Sequence, residues 1–182
     1  MPKLYLVRHG QAQAGWGEDL DPGLSVIGRG QAKRVAEKIA SLGPLEIITS
    51  PLARARETAA PLAERWKKRP RLEERVGEIP SPTSNLSERL QWLIPVMAAR
   101  WPKLGPELHA WRSGVLAALA ELASDAVVFT HFIAINVAVG QATGSDRVVS
   151  FRPANGSITI LEVKKEILAV VELGDQAETK VG

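Results

Sequence analysis

The chain holds three histidines, and two of them end apolar runs. "LYLVRHG" delivers Arg8 and His9 side by side before Gly10, and "AVVFTH" delivers Thr130 and His131. A third apolar run, "LEIITS", leads into Ser50, Pro51, Leu52, Ala53 and Arg54. Two guanidinium groups and two imidazoles form a site for a dianion, because guanidinium forks bind phosphate oxygens in pairs and stay charged at any relevant pH. Imidazole also attacks phosphorus while it is unprotonated. Neighbouring guanidinium groups disfavour the imidazolium form, which keeps His9 available near neutral pH. No metal is expected, since no well-spaced carboxylate set accompanies the histidines and the arginines repel a cation.

These groups need a scaffold that ends several strands on one rim. Lys3 to His9 reads as a strand covered on both faces, with Leu4, Leu6 and Val7 as its apolar residues. The following segment, 10–23, is rich in Gly, Asp and Pro and reads as a loop. Ser25 suits an N-cap, and Ala32, Val35, Ala36, Ile39 and Leu42 recur at helical spacing up to Gly43. Ser50 is expected to cap a second helix, with Pro51 in its first turn and a kink at Pro61. Two prolines forbid regular structure between Leu72 and Asn85. Leu86, Leu90, Leu93, Ile94, Met97 and Trp101 then predict a helix bent near Pro95, and Leu108, Trp111, Val115, Leu119 and Leu122 predict another. "FIAINVAVGQATG" reads as a buried helix, and "SITILEV" and "EILAVVEL" as hairpin strands around "KK". Strands alternating with helices indicate a three-layer α/β/α sandwich on a mostly parallel sheet. In such sheets the ligand crevice lies beyond the carboxyl ends of the strands, where Arg8, His9, Arg54 and His131 converge if their strands are parallel neighbours.

The bulk numbers agree with a single globular domain over 1–182. The 182 residues are 45% hydrophobic and 24% charged, and 23 basic residues face 20 acidic ones, a net charge of +3. That near balance argues against a nucleic-acid groove. The chain has no cysteine, which removes disulfides and thiolate chemistry. No stretch approaches the roughly 20 apolar residues of a membrane span, and "LYLV" is too short for a targeting core. A cytoplasmic protein is expected.

Four ordered blocks resemble the histidine phosphatase superfamily, the phosphoglycerate mutase-like proteins. "LVRHGQA" is similar to the family's Arg-His-Gly opening, "LSVIGRGQA" to a following helix start, "TSPLARARETA" to its Ser-Pro-Leu-x-Arg block, and "VVFTHFIAI" to the segment with its second histidine. The resemblance implies the family's fold, with a helical insertion or lid over approximately 80–123. It implies that His9 becomes phosphorylated and that Arg8, Arg54 and His131 hold the phosphoryl oxygens. Arg56, two positions past Arg54, falls roughly opposite it on a helix and reads as a solvated residue. The family's acid, a glutamate, falls on Glu78 in "VGEI", with Glu74 as competitor; Pro80, Ser81 and Pro82 replace the residues that commonly follow it. Glu78 would protonate the leaving oxygen and then activate water.

The expected activity is metal-independent, cofactor-free hydrolysis of a phosphomonoester through phosphohistidine. Three alternatives stay open: a mutase, a protein phosphohistidine phosphatase, and a non-catalytic phosphate-binding protein of the same fold. Ala12 and Gly15 stand where mutases of the family have serine and asparagine, which favours hydrolysis. The expected partner is a small phosphorylated metabolite, with a phosphoprotein as the other option, and no nucleic acid or membrane. Gln11, Trp16 and Phe132 are candidate substrate contacts by position. His109 reads as a structural residue within a helix, the basic group from Lys67 to Arg71 as a solvated helix end, and Asn155 to Ser157 as a turn. "EILAVVEL" either offers an edge for a second subunit or is covered.

Overall fold

The structure, a computed structural model, describes residues 1–176; the last six positions of the expected domain lie outside the described residues. It contains strands β1 (Lys3–Arg8), β2 (Glu46–Thr49), β3 (Arg71–Leu72), β4 (Ala126–Thr130), β5 (Ile158–Lys164) and β6 (Ile167–Glu172). The helices are α1 (Val26–Ile39), α2 (Ala53–Trp66), α3 (Leu86–Ala98), α4 (Pro106–Ala120) and α5 (Phe132–Thr143). One sheet runs in the order β3-β2-β4-β1-β5-β6. The pairings from β3 to β1 are parallel, and β5 and β6 add two antiparallel ones.

The alternation of side chains along each strand sorts the core into two layers. Leu4, Leu6, Ile48, Val128 and Leu161 face a cluster that takes in Leu93, Val115, Leu119, Ile133 and Val137 of α3, α4 and α5. Tyr5, Val7, Ile47, Val127 and Phe129 face Val35, Ile39, Ala59 and Leu62 of α1 and α2. The result is the expected α/β/α sandwich. Central strands β4 and β1 are covered on both faces, which is why their sequences run apolar without a polar side. Among the described residues no helix is long and apolar enough to cross a membrane.

Three local expectations change. β3 forms at Arg71–Leu72, where no strand is expected, because parallel pairing to Ile48 and Thr49 rescues a run with no apolar pattern. α2 begins at Ala53 with Leu52, not Ser50, as N-cap; Asp21 Oδ1 accepts from the Ala53 amide at 2.9 Å, and the Ser50 hydroxyl also reaches into the site, as described below. α2 and α3 each keep their internal proline, Pro61 and Pro95, within one continuous helix. Trp101 lies outside α3, in a short 3₁₀ turn, and is buried. Ser25 caps α1 as expected, its hydroxyl accepting from the Gly28 amide at 3.0 Å.

β6 and β3 are the sheet edges. Ile167 and Val171 on β6 stay exposed, while Leu168 is buried.

Candidate active site

The parallel register places Arg8 opposite Thr130 and Thr49 opposite Phe129. The three strands therefore end level, and the residues just beyond them meet. The sheet ladder continues one residue past each end: the His9 amide donates to Thr130 O at 3.1 Å and the Ser50 amide to Phe129 O at 3.0 Å. Asn155 Nδ2 donates to His9 O at 3.1 Å, so the turn at 154–157 braces the end of β1.

His9 is buried, with Nδ1 2.7 Å from Gly10 O. A carbonyl only accepts, so Nδ1 carries the hydrogen and Nε2 keeps its lone pair. Arg54 Nε donates onto that lone pair at 3.2 Å. The His9 pKa is held well below 6.5, first by burial and then by Arg54 and Arg8, against a smaller opposing pull from the Gly10 carbonyl. The imidazole is therefore neutral at neutral pH and its nucleophilic nitrogen faces a guanidinium.

Arg54 projects from the first turn of α2 and is buried. Its Nη2 lies 3.4 Å from Glu78 Oε2, and its Nη1 is 4.0 Å from Asp21 Oδ1. Thr58, one turn on, donates from its hydroxyl to Arg54 O at 2.6 Å and accepts from the Gly10 amide at 2.9 Å. That hydroxyl ties the helix carrying Arg54 to the loop carrying His9. Arg56, by contrast, is exposed.

Arg8 is fully buried. Its Nη1 donates to Pro153 O at 2.9 Å, and its guanidinium lies over the Phe132 ring at 5.1 Å. Burial lowers its pKa to about 10, with Glu78 raising it and Arg54 lowering it; it remains cationic at neutral pH.

His131 is fully buried, its ring centroid 5.3 Å from that of His9. Its Nε2 lies 2.8 Å from Ser50 Oγ, and its Nδ1 lies 3.4 Å from Glu78 Oε2. Burial is the first cause that holds its pKa well below 6.5, followed by Arg54, His9 and Arg8. Glu78 reaches the cluster from the segment after the 3₁₀ turn Glu74–Val76, and its side chain is 6% exposed. Burial raises its pKa, against the opposing pull of Arg54, the Ile79 amide and Arg8. Glu74 stays exposed on the turn itself.

His9, Arg8, Arg54, His131 and Glu78 thus come together in one pocket. Ligand atoms of His9, Glu78 and His131 lie within 4.8 Å of one another, the spacing a metal would use. Arg54 already donates to two of those atoms, so a cation there would have to displace a guanidinium. The same donor set suits an anion.

The three candidate substrate contacts fall differently. Gln11 is exposed beside the pocket, its amide donating to Gln31 Oε1 and its own Oε1 accepting from Ser25 Oγ. Phe132 is buried beneath Arg8. Trp16 is 4% exposed and packs in the core, with Trp92 stacked on it and Arg89 over its ring. The indole therefore supports Arg89 rather than offering its own face to the cleft. His109 bonds Trp101 O at 2.8 Å, a structural contact.

Sequence reasoning did not assign Ser50, Thr58, Asp21 or Arg89 to this region. Thr58 was signalled by its place one helical turn after Arg54. Ser50 was obscured by its resemblance to an N-cap. Asp21 and Arg89 lie far off in sequence and carry no local signal.

Gly10 is needed for a different reason than a turn. A Cβ there would meet Gly28 O at 2.5 Å, and one on Gly28 would meet Gln11 O at 2.1 Å. The two glycines let α1 dock directly against the loop behind His9.

Comparison with known proteins agrees with this architecture. Residues 4–176 match the family model of the histidine phosphatase superfamily (branch 1). Over 67 residues the chain is 42% identical to a glucosyl-3-phosphoglycerate phosphatase of Mycolicibacterium vanbaalenii, a match spanning 35% of this chain and 30% of that relative. Among solved structures, Bacillus stearothermophilus YhfR superposes with a TM-score of 0.78 at 22% identity, covering 97% of this chain and 98% of that one. A phosphoserine phosphatase mutant of Entamoeba histolytica in complex with phosphoserine gives 0.72 at 21% identity, covering 96% and 98%. With a family match over nearly its whole length and the two strand-end histidines in one pocket, the chain belongs to the histidine phosphatase superfamily.

Proposed function

We propose that the protein is a phosphomonoesterase that works through phosphohistidine on His9, without a metal. The observation that carries this is the state of His9: Nδ1 is committed to Gly10 O, and Nε2 keeps an unprotonated lone pair that accepts from the Arg54 guanidinium.

The substrate's dianionic phosphoryl group would take the place between His9 and Arg54, its oxygens held by Arg8, Arg54 and His131. His9 Nε2 forms a bond to phosphorus as the bond to the leaving oxygen breaks. Glu78, whose pKa burial raises, gives that oxygen its proton. The resulting carboxylate then takes a proton from water, the hydroxide attacks phosphorus, and the P–N bond breaks to release inorganic phosphate. Charge held in place by buried guanidinium groups supplies much of the rate.

The substrate in this reading is a small phosphorylated metabolite and the compartment the cytoplasm. The cleft beside Glu78 measures about 370 Å³ and is lined by Ser81, Thr83 and Arg89 among others, a size that suits a small ester rather than a protein loop. Relatives named as phosphatases of glucosyl-3-phosphoglycerate and phosphoserine support the same class.

The test is hydrolysis of p-nitrophenyl phosphate in excess EDTA by the wild type and by His9→Ala. Activity in the wild type that disappears in the variant is expected. A variant that still hydrolyses the ester, or a wild type that needs added metal, contradicts the proposal.

A further inference from the structure

Both peptides that flank Gly10 are held at both ends. In the first, between His9 and Gly10, the carbonyl accepts from Asn155 Nδ2 at 3.1 Å and the N–H donates to Thr58 Oγ1 at 2.9 Å. In the second, between Gly10 and Gln11, the carbonyl lies 2.7 Å from His9 Nδ1 and the N–H donates to Gln31 Oε1 at 2.7 Å. Phosphoryl binding and proton transfer assign nothing to Gln31. Yet it holds the far end of the peptide whose carbonyl orients the nucleophile.

The sequence builds this contact from α1. Gly28 and Gln31 are three apart and share one face of the helix. With no Cβ at Gly28, that face closes on Gln11, whose carbonyl accepts from the Ser25 amide at 2.9 Å. Gln31 is half-buried, and a Cβ on Gly156 would meet Gln31 Cβ at 3.2 Å, so its stem packs on the turn that also carries Asn155.

A trans peptide is planar, with N–H and C=O pointing opposite ways, so fixing one aims the other. The hydrogen bonds also run in series, from Gln31 Oε1 through the peptide to the His9 Nδ1 hydrogen, and each polarises the next. In the free site Arg54 Nε holds His9 Nε2 as an acceptor as well, but an incoming phosphoryl group takes that place. The chain that starts at Gln31 then keeps the hydrogen on Nδ1 and the Nε2 lone pair toward phosphorus.

We propose that Gln31 is a positioning residue for the attack: it fixes the peptide between Gly10 and Gln11 so that Gly10 O holds the His9 ring with Nε2 directed at phosphorus. This rests on the phosphomonoesterase reading above, in which His9 Nε2 is the nucleophile.

The test is a single turnover of p-nitrophenyl phosphate, with protein in excess, by the wild type, Gln31→Met and Gln31→Glu. Methionine keeps the length and loses the acceptor, so nitrophenol release should slow about three- to tenfold, the worth of one hydrogen bond. The inhibition constant of inorganic phosphate should stay at the wild-type value, because Arg8, Arg54 and His131 are untouched. Glutamate accepts from the same amide and should restore most of the rate. The acid limb of the pH profile should move in opposite directions. The Gly10 carbonyl raises the His9 pKa, so a weaker chain in Gln31→Met shifts the limb to lower pH and the carboxylate of Gln31→Glu shifts it higher. Arg8, Arg54, Glu78 and His131 also face the ring and are the same in all three proteins.

A Gln31→Met protein with the wild-type rate and limb overturns the inference. So does a loss of rate matched by weaker phosphate binding and not restored by glutamate, which would mean a structural role. Both outcomes leave the phosphatase reading intact. A wild type that releases no nitrophenol, or a His9→Ala protein that releases it as fast, overturns both.

Discussion

Ser50 Oγ stands 2.8 Å from His131 Nε2, and this contact decides which nitrogen of His131 faces the proposed phosphoryl pocket. The Ser50 hydroxyl already accepts from the Leu52 amide at 3.3 Å, which leaves its proton for Nε2. The imidazole hydrogen then sits on Nδ1, the nitrogen that looks toward Glu78 and the pocket. His131 can donate to a phosphoryl oxygen while neutral, as its burial requires. Ser50→Ala removes the group that sets this tautomer and should lower kcat/KM on p-nitrophenyl phosphate by about three- to tenfold. Steady-state kinetics with phosphate as competitive inhibitor checks it: KM and the inhibition constant should rise together, and unchanged values of both would contradict the assignment.

In the proposed mechanism Glu78 serves two steps, and its loss should separate them. With an alkyl ester, Glu78→Gln should lose about 10²- to 10⁴-fold in kcat, because an alkoxide needs a proton to leave. With p-nitrophenyl phosphate the first step needs little help, while water still needs a base. The variant should therefore release a rapid burst of nitrophenol comparable to the protein present and then stall. Stopped-flow absorbance measures this, and equal losses on both esters without a burst would count against Glu78 as the acid.

The pH profile follows from the same two groups. His9 must be unprotonated, and burial with its two arginines holds its pKa below 6.5, so activity should persist on the acid side to below that value. Glu78 must be protonated, and burial raises its pKa above 4.5; a bound phosphate dianion beside it raises it further. Saturating rates on an alkyl ester should fall on the alkaline side as Glu78 ionises, and Glu78→Gln should flatten that limb at its lower rate. An alkaline limb unchanged in the variant would assign it to another group.

Gly28 is tested by stability. Adding a Cβ places it 2.1 Å from Gln11 O, a backbone atom that cannot rotate away. Gly28→Ala should cost about 1–3 kcal/mol, typical of overpacking, and should weaken activity by shifting the loop behind His9. Urea denaturation with parallel kinetics checks both; wild-type stability would show that the contact relaxes freely.

The frame of this site was legible in the sequence because it is local. Apolar runs marked the strands whose ends carry Arg8, His9 and His131, and resemblance to the family's Ser-Pro-Leu-x-Arg block selected Arg54 over Arg56. The supports were not legible because they are long-range. β3 exists only through pairing to β2, the Thr58 hydroxyl matters only because Gly10 packs beside it, and Trp16 turns inward because α3 brings Trp92 and Arg89 over it. Ser50 was misread for a physical reason: a serine before a proline satisfies the local rules of a cap, and only the tertiary fold shows that its hydroxyl goes to His131.

The central claim is a covalent bond between phosphorus and His9, and the most direct measurement is to trap it. Glu78→Gln protein mixed with p-nitrophenyl phosphate, quenched in alkali to preserve phosphohistidine and digested, should carry a phosphoryl group on the peptide containing His9. The same protein with His9→Ala added should carry none. Phosphate on another residue, or rapid turnover with none trapped and His9→Ala still active, would contradict the account.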